Sequence, residues 1–148
     1  MKPLPFPRHI PFVEELDFQL WAFGDGKAEL RLDIAERHTN SYSVAHGGVL
    51  MTLLDVAMAH AARSTHGDDG PGVVTIEMKT SFLRAAEGQL AAHGTLLHRT
   101  TTMAFTEGRI VDAAGQLCAH ATATFKFIRA LPTAARSLKP FNPAKESP

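Results

Sequence analysis

The sequence predicts an α+β fold in which one antiparallel sheet curls around one long apolar helix. Three observations lead there. Residues 48–63 form a proline-free run rich in Ala, Leu and Met, all good helix formers. Segments before and after that run alternate apolar and polar residues with a period of two, as half-buried strands do. Glycine-rich turn signals separate those segments. A helix that is apolar nearly all round needs cover on more than one side, so the sheet must curve around it.

Residues 1–15 read as an N-terminal extended segment. Four prolines in the first eleven residues oppose regular structure, and the segment is expected to lie over the surface or a partner subunit. A short helical turn is predicted near Pro11–Leu16. Phe18–Phe23 and Ala28–Ile34 are strands joined by Gly24-Asp25-Gly26, a hairpin turn signal. Leu30, Leu32 and Ile34 share one face. Residues 35–45 form a polar loop before the helix, Gly48–Arg63. At 100° per residue Leu50, Leu53, Ala57 and Ala61 oppose Asp55 on that helix, while Gly48, Thr52, Ala59 and Ala62 lie beside it.

After a loop over Ser64–Gly72, Val73–Phe82 is expected to set Val74, Ile76, Met78, Thr80 and Phe82 against Thr75, Glu77, Lys79 and Ser81. Strands Gln89–His98, Met103–Asp112 and Gln116–Arg129 follow. The last sets Leu117, Ala119, Ala121, Ala123, Phe125 and Phe127 against Cys118, His120, Thr122, Thr124 and Lys126. The outer face of such a sheet is expected to need further cover, such as a second subunit. Residues 16–129 make one domain, and 130–148, with four more prolines, make a C-terminal tail.

Composition excludes several functions. Fifteen basic and fifteen acidic residues cancel, and aromatics are few. Neither nucleic acid nor an anionic membrane is therefore an expected partner. The single cysteine, Cys118, permits no internal disulfide, and the N-terminus has no apolar signal region. No apolar run approaches the ~20 residues of a membrane span. The expected location is cytoplasmic. The histidines show no metal-ligand spacing, and no metal or cofactor is expected. His60, His93, His98 and His120 are read as packing or surface residues, and Cys118 as a core or interface thiol. No Gly-x-Ser-x-Gly elbow is present, which disfavours a serine hydrolase of the α/β type.

The chemistry gathers in residues 40–63. Asp55 is the only acid between Glu36 and Asp68. A carboxylate on an apolar helix is costly unless it is bonded or paired, and no basic residue stands three or four positions away. The bland reading is a solvated or structurally bonded aspartate. The functional reading is a general base or a nucleophile in a partly dry pocket. His46-Gly47-Gly48 opens the helix. Glycines there permit a tight turn, which is often their whole role. The free amides at a helix start also suit a polarised carbonyl oxygen. Eight residues separate Gly47 from Asp55, roughly 12 Å of helix rise. One helix cannot easily serve one substrate atom with both, whereas two antiparallel copies can. Spacing alone therefore predicts a homodimer with shared sites.

Asn40, His46-Gly47-Gly48 and Asp55 together resemble the signature of hotdog-fold acyl-CoA thioesterases, specifically the phenylacetate-degradation type of the 4-hydroxybenzoyl-CoA thioesterase superfamily. Pro71–Arg84, the turn at Asp112–Gly115 and Ala121–Phe125 fit the same pattern, so the resemblance covers roughly residues 16–128. It implies a hotdog fold and subunits paired through continuous sheets, often as a dimer of dimers forming a homotetramer. It implies hydrolysis of an aryl- or medium-chain acyl-CoA. The Gly47 amide would polarise the thioester carbonyl, and Asp55 of the neighbouring subunit would attack it or activate water. Asn40 would position the nucleophile or substrate, His46 would brace the turn, and Thr75 would orient the attacking water. Gly48, Arg84, Arg99, Thr100 and Thr101 would contact substrate or CoA. One departure stands out. Where relatives often carry Gly followed by Arg or Lys, this chain reads Arg99-Thr100-Thr101-Thr102, leaving Arg84 and Arg99 as the nearby cations for CoA phosphates.

Two other readings compete. A hotdog protein that binds or senses acyl-CoA without hydrolysis would keep the pocket and not need Asp55. A dehydratase on the same fold usually places a histidine and an acid differently. No helix-turn-helix segment points to a transcriptional regulator.

Overall fold

The computed structural model of the chain describes residues 2–129. The expected C-terminal tail, 130–148, lies outside the described residues. Helix α1 (Pro11–Glu15) is followed by strands β1 (Gln19–Gly24) and β2 (Lys27–Asp33), then by helix α2 (Gly47–Arg63). Strands β3 (Gly72–Phe82), β4 (Gln89–Arg99), β5 (Met103–Val111) and β6 (Leu117–Ile128) complete the chain. The six strands form one curved antiparallel sheet around α2, in the order β1-β2-β4-β5-β6-β3. The β1–β2 hairpin therefore pairs with β4, and β3 crosses to the far edge.

Local chemistry explains the hairpin and the helix ends. Asp25 and Gly26 both take positive φ, 53° and 76°, as a two-residue type I′ turn requires. The Gly26 N–H donates to Ser64 Oγ at 2.8 Å, tying that turn to the C-terminal end of α2. At the other end His46 is the N-cap, and its Nδ1 accepts the Gly48 N–H at 2.8 Å.

The core lies between α2 and the concave face of the sheet. Leu53, Leu54, Ala57, Met58, Ala61 and Ala62 are fully buried against Leu30, Leu32, Leu90, Ala92, Ile110 and Phe125. The close approach depends on Gly94, which pairs with Gly108 across β4 and β5. A Cβ on Gly94 would sit 2.3 Å from the Ala57 carbonyl oxygen, so no side chain fits there.

Register shifts interrupt simple alternation at Trp21, Ile76, Leu97 and Cys118, and two of them change the predicted faces. On β3, Thr75 pairs with Phe125 and Glu77 with Thr124, leaving Ile76 as an extra residue in a β-bulge. Thr75 thereby joins Met78, Thr80 and Phe82 on the face toward the helix, instead of opposing them as alternation predicts. On β6 a second irregularity at Cys118 buries that thiol and leaves Leu117 40% exposed, reversing their predicted faces. The outer face is mixed, exposing Val74 and Phe105 beside polar residues. Glu29, His93, Arg109 and His120 lie in one cross-strand row there, a polar surface that water satisfies.

Two features leave one flank of the chain open. β3 is an edge strand, and among the described residues Val74, Ile76 and Phe82 on it, with Leu83 just after it, are exposed. Along α2, the stripe Gly48, Met51, Thr52, Asp55 and Ala59 is only partly covered. Sequence reasoning expects α2 to be enclosed nearly all round, but the chain's own sheet leaves this stripe accessible.

Candidate active site

Thr75 and Asp55 form one half of the site. The bulge turns Thr75 toward α2, and its Oγ1 donates to Asp55 Oδ1 at 2.7 Å. Burial pushes the Asp55 carboxyl above the ordinary aspartate range, and the Thr75 hydroxyl partly opposes that rise. The result is a carboxylate with increased proton affinity, held in one orientation beside an open helix stripe. That is the profile of a base rather than of a structural ion pair.

The helix start forms the other half. The Val49 and Leu50 N–H groups both reach the His46 carbonyl, and the Gly48 N–H is taken by the His46 ring. The Gly47 N–H has no partner among the described residues. It stands at the positive end of the α2 dipole. Phe82, from the far end of β3, covers Gly47, with ring atoms 3.4 Å from the position a Cβ would take. Gly47 lines an open cavity of about 360 Å³ with Asn40, Leu50, Phe82, Leu83 and Arg84. The Asn40 carboxamide oxygen accepts from the Tyr42 and Val44 N–H groups at 2.9 and 3.4 Å, so it organises the loop that walls the cavity.

The remaining predicted residues divide between distant places. Arg84 shares the Gly47 cavity. Arg99 and Thr101 line a different and larger cavity beyond the C-terminal end of α2. Thr100 does not line it, because its hydroxyl accepts the Thr102 and Met103 N–H groups in the β4–β5 turn. At ~1.5 Å per residue, the seventeen-residue helix separates Arg84 from Arg99 by roughly 25 Å. One subunit cannot clasp a single phosphate with both.

Two residues, His38 and Arg63, were not singled out from the sequence, and Phe82 was read only as a neighbour of Asp55 that leaves room for an acyl chain. His38 is buried. Its Nδ1 accepts the Ala35 N–H, and its Nε2 donates to Leu16 O at 3.0 Å, anchoring the loop before α2. Arg63 is 5% exposed at the end of α2. Phe82 was placed on a face, but its cover of Gly47 depends on tertiary packing. Only Phe82 carries a sequence signal, as a large aromatic ending an inward-facing set. Among the described residues, no three His, Cys, Asp or Glu side chains converge to hold a metal ion.

The thioesterase superfamily profile matches residues 42–119, more than half of the chain. The chain belongs to the thioesterase superfamily. The match spans the helix start, all of α2 and the site strand β3. A conserved protein of Pseudomonas aeruginosa is 31% identical, with a TM-score of 0.78 over 82% of this chain and 97% of that one. A Streptococcus mutans protein bound to acetyl-CoA shares the fold at 24% identity and a TM-score of 0.70, over 76% of this chain and 90% of its own. An esterase candidate from Saccharolobus solfataricus is 29% identical over 115 residues, 77% of this chain and 81% of its length. The curved sheet and single long helix of this superfamily member are those of the hotdog fold. No helix among its described residues is long and apolar enough to cross a membrane.

Proposed function

We propose that this thioesterase-superfamily chain is a cytoplasmic acyl-CoA thioesterase of the phenylacetate-degradation type, hydrolysing an aryl- or medium-chain acyl-CoA. One observation carries the reading. The Asp55–Thr75 pair and the free Gly47 N–H lie on one open flank, yet roughly 12 Å apart along α2, so each is half of a site. β3 touches both halves, through Thr75 at one end and Phe82 at the other. An antiparallel pairing of two β3 edges that sets Thr75 opposite Phe82 would bring Gly47 to Asp55 of the partner subunit. The exposed Val74, Ile76, Phe82 and Leu83 would be buried in that pairing, and the unpaired backbone groups of the edge would be satisfied. The homodimer is then the functional unit, and a dimer of dimers follows from the same family pattern.

In this mechanism the Gly47 N–H donates to the thioester oxygen, with negative charge developing at the helix start. Asp55 of the partner subunit takes a proton from water. The hydroxide attacks the carbonyl carbon, the C–S bond breaks, and the thiolate leaves and is protonated. In the alternative route the carboxylate attacks directly, giving a mixed anhydride that water then cleaves. Thr75 orients the carboxylate or its water, Asn40 and His46 shape the loop and helix start, and Gly48 permits close approach. Arg84, Arg99, Thr100 and Thr101 belong to the CoA-contacting ends of the composite site. The test is thiol release from a panel of aryl and aliphatic CoA esters. Release from several members supports the proposal. Tight binding of the esters without release would make the protein a binder instead.

A further inference from the structure

Between residues 35 and 46 only His38 and Ala45 are buried, although this stretch carries Asn40 and His46 to the start of α2. A histidine buried in a loop needs both ring nitrogens satisfied. Here both partners are backbone groups, which fixes the tautomer. The Ala35 N–H can only donate, so Nδ1 holds the lone pair that accepts it at 2.9 Å. The Leu16 carbonyl can only accept, so Nε2 carries the proton and donates it at 3.0 Å. The two bonds differ in reach. Ala35 caps the same 3₁₀ turn, Glu36–His38. Leu16 lies 22 residues away, at the C-terminal end of α1. Val13 and Phe18 on either side of it are buried in the core, so the Leu16 carbonyl is a fixed reference point.

From His38 a short relay of main-chain bonds leads to the Gly47 N–H. The His38 carbonyl accepts the His46 N–H at 2.8 Å. The two arms of the loop meet again as a bridge between Thr39 and Ala45, and through the Asn40 N–H to Val44 O bond at 2.9 Å. His46 in turn accepts the Gly48 N–H with its ring and the Val49 and Leu50 N–H groups with its carbonyl. The peptide joining His46 to Gly47 is thus held from two sides, by the first turn of α2 and by the His38 carbonyl. Its own N–H is left without a partner among the described residues. The loop side of that grip reaches the body of the chain by two routes. One is the His38 ring to Leu16, and the other is the Ala45 N–H to Ala86 O at 2.9 Å.

We propose that His38 is a positioning residue for the Gly47 N–H: its Nε2–H bond to Leu16 fixes, through the His38 carbonyl and the His46 N–H, the direction in which that donor points. The catalytic consequence rests on the thioesterase reading, and the residue itself touches no reacting atom. An oxyanion donor must lie about 2.7–3.1 Å from the oxygen it stabilises, so a loop that shifts by about 0.5 Å loses much of the effect. Such a shift weakens an interaction made in the transition state. Contacts that hold the substrate elsewhere are not altered, so kcat should fall while KM stays.

The test is a pair of substitutions that separates the two ring nitrogens, assayed in the full chain with a thioester that the wild type turns over. His38→Asn keeps an acceptor for the Ala35 N–H but is too short for Leu16, and kcat should fall about tenfold with KM unchanged. His38→Gln reaches Leu16 with its amide N–H and should keep kcat within about threefold of wild type. In a Gly47→Pro background, where the donor is gone, His38→Asn should cost less than about twofold. Equal losses in the two backgrounds overturn the proposal, because a residue that only supports the fold acts independently of the Gly47 N–H. So does His38→Gln as slow as His38→Asn. A wild type that turns over no thioester removes the thioesterase reading, and the positioning is then read from amide exchange. Exchange of the His46 N–H about tenfold faster in His38→Asn, but not in Arg37→Ala, which removes the neighbouring surface pair with Asp17, supports the tether. Unchanged exchange overturns it. Nitrogen-15 spectra of the wild type need no variant to fold: they should show the Nε2–H tautomer at His38, and the Nδ1–H tautomer would end the proposal.

Discussion

Thr75 Oγ1 donates a 2.7 Å hydrogen bond to Asp55 Oδ1, and this bond is the only polar partner of the Asp55 side chain among the described residues. It ties the edge strand to the middle of the central helix at the point where burial has raised the carboxyl's proton affinity. Asp55→Asn should lower thioester turnover by about 10²–10⁴-fold, the usual contribution of a general base. The same change should stabilise the fold at neutral pH. A carboxyl whose folded pKa is raised costs stability once pH exceeds its unfolded value, and an amide does not ionise. Thermal melts at pH 7 should show a higher midpoint for the inactive variant. An active variant, or one less stable than wild type, contradicts this assignment.

Thr75→Val removes the hydroxyl that opposes the desolvation of Asp55. The Asp55 pKa should rise further, moving the acid limb of the kcat/KM profile to higher pH. Turnover at the optimum should fall about tenfold, with the helix content unchanged by circular dichroism. A profile that does not move separates Thr75 from the reaction.

Gly47→Pro deletes one N–H and adds ring carbons beside Phe82, whose ring atoms lie 3.4 Å from the Cβ position. Gly47 is the first residue of α2, where proline is tolerated, and His46 before it has φ −63° and ψ 137°, compatible with a following proline. The variant should fold and assemble but lose turnover by about 10²-fold, the effect of one oxyanion donor. Mixing it with Asp55→Asn after joint refolding should restore activity. In a mixed dimer with shared sites, one site holds the intact Gly47 of one chain and the intact Asp55 of the other. No recovery in the mixture would place both groups on the same chain's site.

Gly94 and Gly108 face each other across β4 and β5 but should respond differently to alanine. The Cβ of Gly94→Ala meets the Ala57 backbone at 2.3 Å, which only movement of α2 can relieve. A loss of about 3 kcal/mol or more in urea unfolding is expected. At Gly108 the nearest atoms are Met58 Cγ at 3.0 Å and Leu54 Cδ2 at 3.2 Å, ends of side chains that can adjust. There the gain in strand propensity offsets the crowding, and the change should stay within about 1 kcal/mol.

His60 predicts a pH dependence of stability. It is fully buried, edge-on to Phe6 and Phe23, with Nδ1 donating to Val56 O. Desolvation lowers its pKa from 6.5 to about 4. The folded ring stays neutral, while the unfolded ring charges near 6.5. Between those values the unfolded state binds more protons, so stability should fall as pH drops through that window, by about 1.4 kcal/mol per unit at most. His60→Leu should flatten that part of the slope. A wild-type urea midpoint that is constant from pH 7 to 5 relative to the variant would show that His60 is not held neutral.

Most elements were legible because their signals are local. The apolar run of α2, the Asp25-Gly26 turn and the alternation of β2, β4 and β5 depend on neighbouring residues alone. The division of Gly47 from Asp55 was legible because helix rise converts spacing into distance. Strand order was not, since nothing within β3 states that it pairs with β6 rather than with β4. The bulges at Ile76 and Cys118 left no compositional mark either, because one inserted residue preserves the apolar count while changing which side chains face inward. His38 and Arg63 are polar types that sequence reasoning puts at the surface. Backbone carbonyls outside their own helical turns, those of Leu16 and Pro71, help to make their burial tolerable, and the local Ala35 N–H serves the other His38 nitrogen.

The bulge at Ile76 separates two demands on one strand. Below it, the inward order of Met78, Thr80 and Phe82 is set by packing. Above it, Thr75 is set by the carboxylate it holds. A chain lacking Ile76 would restore an unbroken ladder and still turn Thr75 inward, since Glu77 faces out and its new neighbour would face in. The residue is therefore dispensable to the chain's own interior. What it supplies is added twist and an isoleucine, 53% exposed, on the edge strand β3, whose outer side pairs with nothing among the described residues.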